Sequence, residues 1–472
     1  MNSGREKTTA AREGKRDAKI FQFQALLLDS GWISPGFVET DERGIIKSIS
    51  NAAPSAEKPV EVVDGYALPG FQNAHSHAFQ FAMAGMAEKH DLNTVDDFWS
   101  WREAMYACAL NMDPEEMRAV AAMAYAEMLK RGYTHVAEFQ YLHHDKNGKR
   151  YDDMAEMSVS LVAAAAFAGI KITLVPVFYQ KGGFGKDAEP AQRRFIFEDV
   201  DEYFRLLSDC KSVVKNLTTA RLGFGVHSLR AAATDDLLRI VKEGPSNLPF
   251  HIHAAEQLKE VKDSLDFLKQ RPVAWLLNNV DMNERFHLIH CTHLTDEEVM
   301  KLGQSSANVV LCPGTEANLG DGIFRLTDFA KHSGNWSIGT DSHISLNPLE
   351  DLRWLDYTQR LMNHKRNTFA DGASVLVRST FFAGKRAMGL PTRDFFEVDK
   401  PLDAVVYGGD SPLLSTAGVE HLLPTLVYTA DGSSVLGTIV NGEWICRSHH
   451  HKHEGEILKD FQRAVKDISS VL

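Results

Sequence analysis

Between residues 67 and 390, eight short apolar runs alternate with segments of helical periodicity. The first run ends at His77. The others span 134–141, 171–179, 221–229, 250–256, 286–293, 307–313 and 336–343. The segments between them carry helix punctuation. In "DPEEMRAVAAMAYAEMLKRG" Asp113 caps, Pro114 opens and Gly132 closes; in "TDEEVMKLG" Thr295 caps. A strand and a crossover helix repeated eight times predict an α/β fold, a (β/α)8 TIM barrel over 67–390.

The flanks read differently. From "IFQFQALLLDSGWI" to "EVVDGYALPG" short strands alternate with turns, and "DERGIIKSISN" predicts a hairpin bent at "RG". Strand patterns return after about residue 390 in "LDAVVYGGD" and "SSVLGTIVNGEWICR", with a hairpin signal at Asn441-Gly442. The two flanks, 19–66 and 391–448, are expected to form one small composite β-sandwich domain. Residues 1–18 read as a disordered polar tail. Residues 449–472 read as a polar linker, with "HHHKH" at 449–453 an exposed turn, followed by an amphipathic helix.

The 472 residues are 44% hydrophobic and 24% charged, enough apolar material for a large core. A net charge of -12 argues against nucleic acid or an anionic membrane as the main partner, yet leaves room for a small anion in a locally basic pocket. No apolar stretch reaches membrane-spanning length. The N-terminal segment lacks the apolar core of a signal peptide, so the cytoplasm is the expected location. Five scattered cysteines without a CxxC pair predict free thiols in a reducing compartment, Cys291 and Cys312 being core residues.

Chemistry concentrates at the ends of the apolar runs. In a strand, residues i and i+2 share a face, so His75 and His77 point into one space at the C-terminal end of the first barrel strand, where active sites of such barrels lie. The fifth run ends with His251, His253 and Glu256, the sixth with His290 and His293, the eighth with Asp341 and His343. So many imidazoles and carboxylates buried at one end would each be costly unless paired. Imidazole is the commonest metal ligand, which points to a metal site.

HxH on the first strand, HxxE on the fifth, His on the sixth and Asp on the eighth together resemble the amidohydrolase superfamily, and within it the mononuclear deaminase branch. The fourth run ends in "GVHSLR", without the lysine that binuclear members carry there. The resemblance implies that His75, His77, His253 and Asp341 hold one divalent ion, zinc with ferrous iron as the alternative. His251 shares a face with His253 and is the rival ligand; the spacing to Glu256 favours His253. The resemblance also implies that Asp341 takes a proton from the attacking water. Glu256 would then pass a proton to the departing nitrogen, and His290 would orient the nucleophile or stabilise charge. His293 and His343 are expected to be supporting or satisfied surface histidines. A homodimer is the expected assembly.

Gln80, Arg102 in the loop after the first strand, Tyr141, His227 and Arg230 also fall near strand ends. Two arginines facing one pocket suit an anionic ligand, because guanidinium forks carboxylates in bidentate fashion. The stretches "NAHSHAFQ", "FWSWRE", "EFQYLHH", "GVHSLRA", "HIHAAEQ", "CPGTEANLGDG" and "GTDSH" are similar to the formimidoylglutamate deiminase family. That family hydrolyses N-formimidoyl-L-glutamate to N-formyl-L-glutamate and ammonia in histidine breakdown. The resemblance implies that these five residues bind the glutamate part of a small, anionic, amino-acid-derived substrate. Another deaminase acting on guanine, a triazine or another amidine is the nearest alternative, and a non-catalytic structural homologue is a further one. Gly314 stands where the family pattern has a second threonine, in a segment to which no catalytic role is assigned.

Overall fold

The computed structural model of the chain describes residues 17–54, 58–83, 85–88, 98–215 and 217–469. The tail expected at 1–18 therefore lies, except for its last two residues, outside the described residues.

Eight parallel strands form a near-closed barrel: Phe71–Ser76, Tyr133–Gln140, Lys171–Phe178, Phe224–Ser228, Phe250–Ala254, Phe286–His290, Asn308–Leu311 and Asn335–Ile338. They are the eight expected runs, paired in chain order. The first three strands are buried along their whole length, as strands covered on both faces must be. The seam between the first and last strands is narrow. One parallel bridge joins Ser76 and Asp341. The His77 N–H donates to the Asp341 carbonyl at 3.1 Å, and the Asp341 N–H to the His75 carbonyl at 3.0 Å. Asn73 adds side-chain bonds to the Thr340 hydroxyl at 2.7 Å and the Thr340 N–H at 3.0 Å.

Helix Pro114–Lys130 starts as its sequence dictates. Asp113 accepts the Glu116 N–H while the Glu116 carboxylate accepts the Asp113 N–H, and Gly132 leaves the far end with φ 98°. Thr295 and Glu298 build the same box for Asp296–Gln304. Arg102, expected in a loop, lies instead on helix Phe98–Asn111. The apolar side chains of that helix are spread around it rather than gathered in one stripe, so no periodic face announces it.

Nine strands from the two chain ends make a second sheet, in which Val60–Pro69 pairs antiparallel with Ala404–Gly408, Leu68 opposite Val405. Val60–Pro69 ends one residue before the first barrel strand, so Gly70 alone separates the two sheets. Both expected hairpins are present, and the second turns through Asn441 and Gly442 with φ of 50° and 70°, the left-handed pair that a two-residue turn requires. Two helices, Pro412–Thr416 and Val419–Thr429, interrupt the strand pattern.

The histidine tract is an exposed turn only in part: His449 and Lys452 are exposed turn residues. His450–His451 forms an edge strand on Glu443–Arg447. His451 is buried, with a ring nitrogen 2.7 Å from the Ala168 carbonyl, and His453 stacks on Phe167. The partners that desolvate these rings lie far back in the chain, which is why local composition misleads. All five cysteines are buried free thiols. Among the described residues no helix is long and apolar enough to cross a membrane.

Candidate active site

Strand alternation brings the expected ligands together. His75 Nε2 lies 3.1 Å from His77 Nε2 and 3.1 Å from His253 Nε2. Asp341 Oδ1 is 3.5 Å from His75 Nε2 and 3.2 Å from His77 Nε2. All four residues are buried, and their ligand atoms lie within 4.8 Å of one another. His77 Nδ1 meets the Phe139 carbonyl at 3.0 Å and His253 Nδ1 the His227 carbonyl at 2.9 Å. Protons on those two Nδ1 atoms turn the Nε2 lone pairs inward. Burial pushes His75 down to about 3 and lowers His77 and His253 as well, so all three are neutral donors. Converging lone pairs and a carboxylate repel unless a cation sits among them, and the donor set fits a divalent ion.

The backbone around this cluster is held in uncommon conformations. Ala255, His290, Cys291, Asp341 and His343 have φ of 52°, 69°, 52°, 48° and 64°. Left-handed backbone at non-glycine residues persists only where its surroundings enforce it. Here it turns the strand ends so that His290 and Asp341 face the barrel axis. Gly339 serves the same end by close approach: a Cβ there would lie 2.7 Å from His75 Cβ and 2.9 Å from its backbone N and O. Gly339→Ala is therefore expected to destabilise the fold by about 1–3 kcal/mol and to lower metal stoichiometry. Denaturant unfolding and metal analysis check this; wild-type values in both would refute the packing account.

A second polar group adjoins the four. His290 Nε2 lies 3.5 Å from Glu256 Oε1 and 3.7 Å from Asp341 Oδ2, while its Nδ1 lies 3.2 Å from Glu316 Oε1. Burial disfavours a charged His290, but Glu256, Glu316 and Asp341 outweigh it and raise the imidazole to about 10. Burial raises Glu256, against the pull of His290 and Arg230. Glu316, on helix Pro313–Asn318, also accepts the Cys312 N–H at 2.9 Å. Sequence reasoning passed over it, although a carboxylate just beyond the seventh strand was the available signal. Asp321 was missed as well: its carboxylate lies within 4.8 Å of Glu256 and His290, and burial pushes it up to about 9. A Cβ at Gly314 would make only ordinary contacts, 3.4 Å to Ser345 and 3.5 Å to Asp351, so nothing in the site forces a glycine there.

Gln80, Arg102, Tyr141, His227 and Arg230 line one pocket together with His77, His253, Glu256 and Asp341. The Gln80 amide donates to the Tyr141 hydroxyl at 3.0 Å, and Tyr141 sits edge-on to His77 and His227. The Arg102 guanidinium packs over Trp99 at 4.6 Å. Arg230 is half-buried between two carboxylates, 3.9 Å from Glu256 and 3.6 Å from Glu260. Glu260 also accepts the N–H groups of Ala255 and Glu256 at 3.3 and 3.0 Å, fixing the turn that carries Glu256.

The chain matches the family model described as "Amidohydrolase family" over residues 66–445. It belongs to the amidohydrolase family. Formimidoylglutamate deiminase of Pseudomonas aeruginosa is 40% identical over 456 residues, covering 95% of this chain and 99% of that protein. Among solved structures, an amidohydrolase from Brucella melitensis aligns with TM-score 0.88 and 36% identity, covering 96% of this chain and 100% of its own. An adenosine deaminase from Xanthomonas campestris with bound zinc shares the fold, with TM-score 0.80 and 20% identity over 97% and 99% of the two chains.

Three other histidines of this amidohydrolase stand apart from the cluster. His251 sits one barrel layer below His253, with its Nε2 3.2 Å from the Ala387 carbonyl and its ring beside His287. The rival ligand is thus turned elsewhere. His343 is buried rather than on the surface, bonded to Thr340 at 2.9 Å and 3.4 Å from Ser76. His293 is half-buried beside the sixth strand, where its carbonyl accepts from Arg271 at 2.6 Å.

Proposed function

We propose that this amidohydrolase hydrolyses N-formimidoyl-L-glutamate to N-formyl-L-glutamate and ammonia, as a formimidoylglutamate deiminase of histidine breakdown. One observation carries the reading: a single pocket joins a His-His-His-Asp cluster to two arginines, Arg102 and Arg230. An amidine to be attacked and two carboxylates to be held call for that combination. The likeness to the Pseudomonas aeruginosa enzyme, over nearly the whole chain, supports it. We assign His75, His77, His253 and Asp341 as ligands of one zinc ion, three imidazoles and a carboxylate suiting zinc, with ferrous iron as the alternative. Buried free thiols suit a cytoplasmic location, and a homodimer is the proposed assembly.

A divalent ion in this cluster supplies Lewis acidity that lets water ionise near neutral pH. The chain's own groups do the rest. Asp341 Oδ2, facing His290, accepts a proton from the attacking water. Glu256, raised by burial, holds a proton near neutral pH and delivers it to the departing nitrogen. His290, drawn toward the cationic form by Glu316 and Asp341, stabilises negative charge as the carbon becomes tetrahedral. Arg230 and Arg102 take the carboxylates, with Gln80, Tyr141 and His227 completing the wall. The free space between these groups is about 50 Å³, well below ordinary ligand sites, so binding a glutamate-sized molecule requires the lining to open.

The deciding assay compares ammonia release from formimidoylglutamate and from guanine by metal-loaded protein. Turnover of the first alone is expected; turnover of guanine without formimidoylglutamate would transfer the assignment to the rival deaminases. Arg230→Ala is expected to raise KM at least tenfold, since a charge-assisted hydrogen bond contributes about 1.5–3 kcal/mol. An unchanged KM would remove the carboxylate contact.

A further inference from the structure

A second cavity, of about 610 Å³, opens at the opposite end of the barrel, between the barrel floor and the nine-stranded sheet. Its lining runs against the acidic character of the chain. Lys171, Lys385 and His135 lie at its base, and Arg43, Lys47, Arg221 and Lys400 stand around its mouth. Asp403 is the carboxylate at the base, and it is already committed: Oδ2 pairs with Lys171 at 2.5 Å, and Oδ1 accepts the Asn441 N–H at 3.0 Å. Glu397, the next carboxylate in the lining, accepts from Thr392, Arg393 and Asp394, so Lys385 has no hydrogen-bond acceptor or ion pair among the described residues and feels both carboxylates only at longer range. Its ammonium lies 5.5 Å from the Phe381 ring, and burial pushes it down to about 8. Arg221 likewise forms no ion pair among the described residues. Buried His135 bonds Thr173 through Nε2 at 3.0 Å and leaves Nδ1 without a partner. The lining also carries apolar side chains, Phe381, Leu390, Phe395 and Phe396.

We propose that this cavity is a binding site for a small amphipathic oxyanion, a carboxylate or phosphate monoester whose charged head meets Lys385, Arg221 and Lys171 and whose apolar body lies on the phenylalanines. A half-buried ammonium without an ion-pair partner is poorly compensated, and an anion with several acceptor oxygens supplies that partner at Lys385. The volume exceeds what a bare inorganic ion fills, and the aromatic wall rewards an organic body. Lys47 at the mouth already pairs with Asp399 at 3.3 Å and with Asp41 at 3.4 Å, so it steers rather than grips.

The test is calorimetric titration of the metal-loaded, full-length protein with phenyl phosphate and with isophthalate, which separate the two head groups. Saturable binding of at least one is expected, weakened tenfold or more by Lys385→Met and measurably by Arg221→Ala, an exposed position that leaves folding intact. Arg230→Ala, in the other pocket, is expected to leave this binding unchanged. No saturable binding of either probe overturns the proposal, as does binding that survives Lys385→Met and Arg221→Ala or disappears with Arg230→Ala.

Discussion

Glu256→Gln is expected to leave metal content unchanged and to lower kcat by about 10²–10⁴, the range a positioned proton carrier contributes. The substitution keeps the shape of a side chain that is buried and touches His290 at 3.5 Å and Arg230 at 3.9 Å. It removes the carboxyl group to which proton delivery to the leaving nitrogen is assigned in the proposed mechanism. Because Glu256 lies outside the four-donor cluster, stoichiometry stays at wild-type level. Full activity in this variant would refute the proton-carrier role. Lost metal would instead make Glu256 a fifth member of the cluster.

Removing the ion is expected to have the larger effect. Chelated protein, and His253→Ala, should show no measurable ammonia release, and chelated protein should recover when zinc or ferrous iron is restored. Stability should fall with activity, since an ion present at 1,000 times its Kd stabilises the native state by about 4.1 kcal/mol. Thermal unfolding followed with and without chelator measures this. Activity and melting temperature both untouched by complete metal removal would sink the metal assignment.

The barrel was legible because strand-like runs alternate with capped helical segments and several runs end in polar chemistry, a pattern that survives without knowledge of neighbours. The clustering of the expected donors was legible from spacing: HxH at residues 75–77 declares a shared face. His251 against His253 was harder. Both lie on one face, and only the three-dimensional layer separates them, one at Ala387 and the other at His75. Asp321 and Glu260 were invisible because their partners are distant in sequence or reached through backbone N–H groups, and an isolated carboxylate looks like any solvated charge. The burial of His451 failed to show for the same reason.

The narrow seam between the first and eighth strands has a mechanical consequence. His75 and His77 stand on one lip and Asp341 on the other, so whatever coordinates all three works as a rivet across the slit. Opening the barrel and emptying the cluster become one event. Amide protons of His77 and Asp341 should then exchange faster once the rivet is drawn, while those of the second and third strands keep their protection.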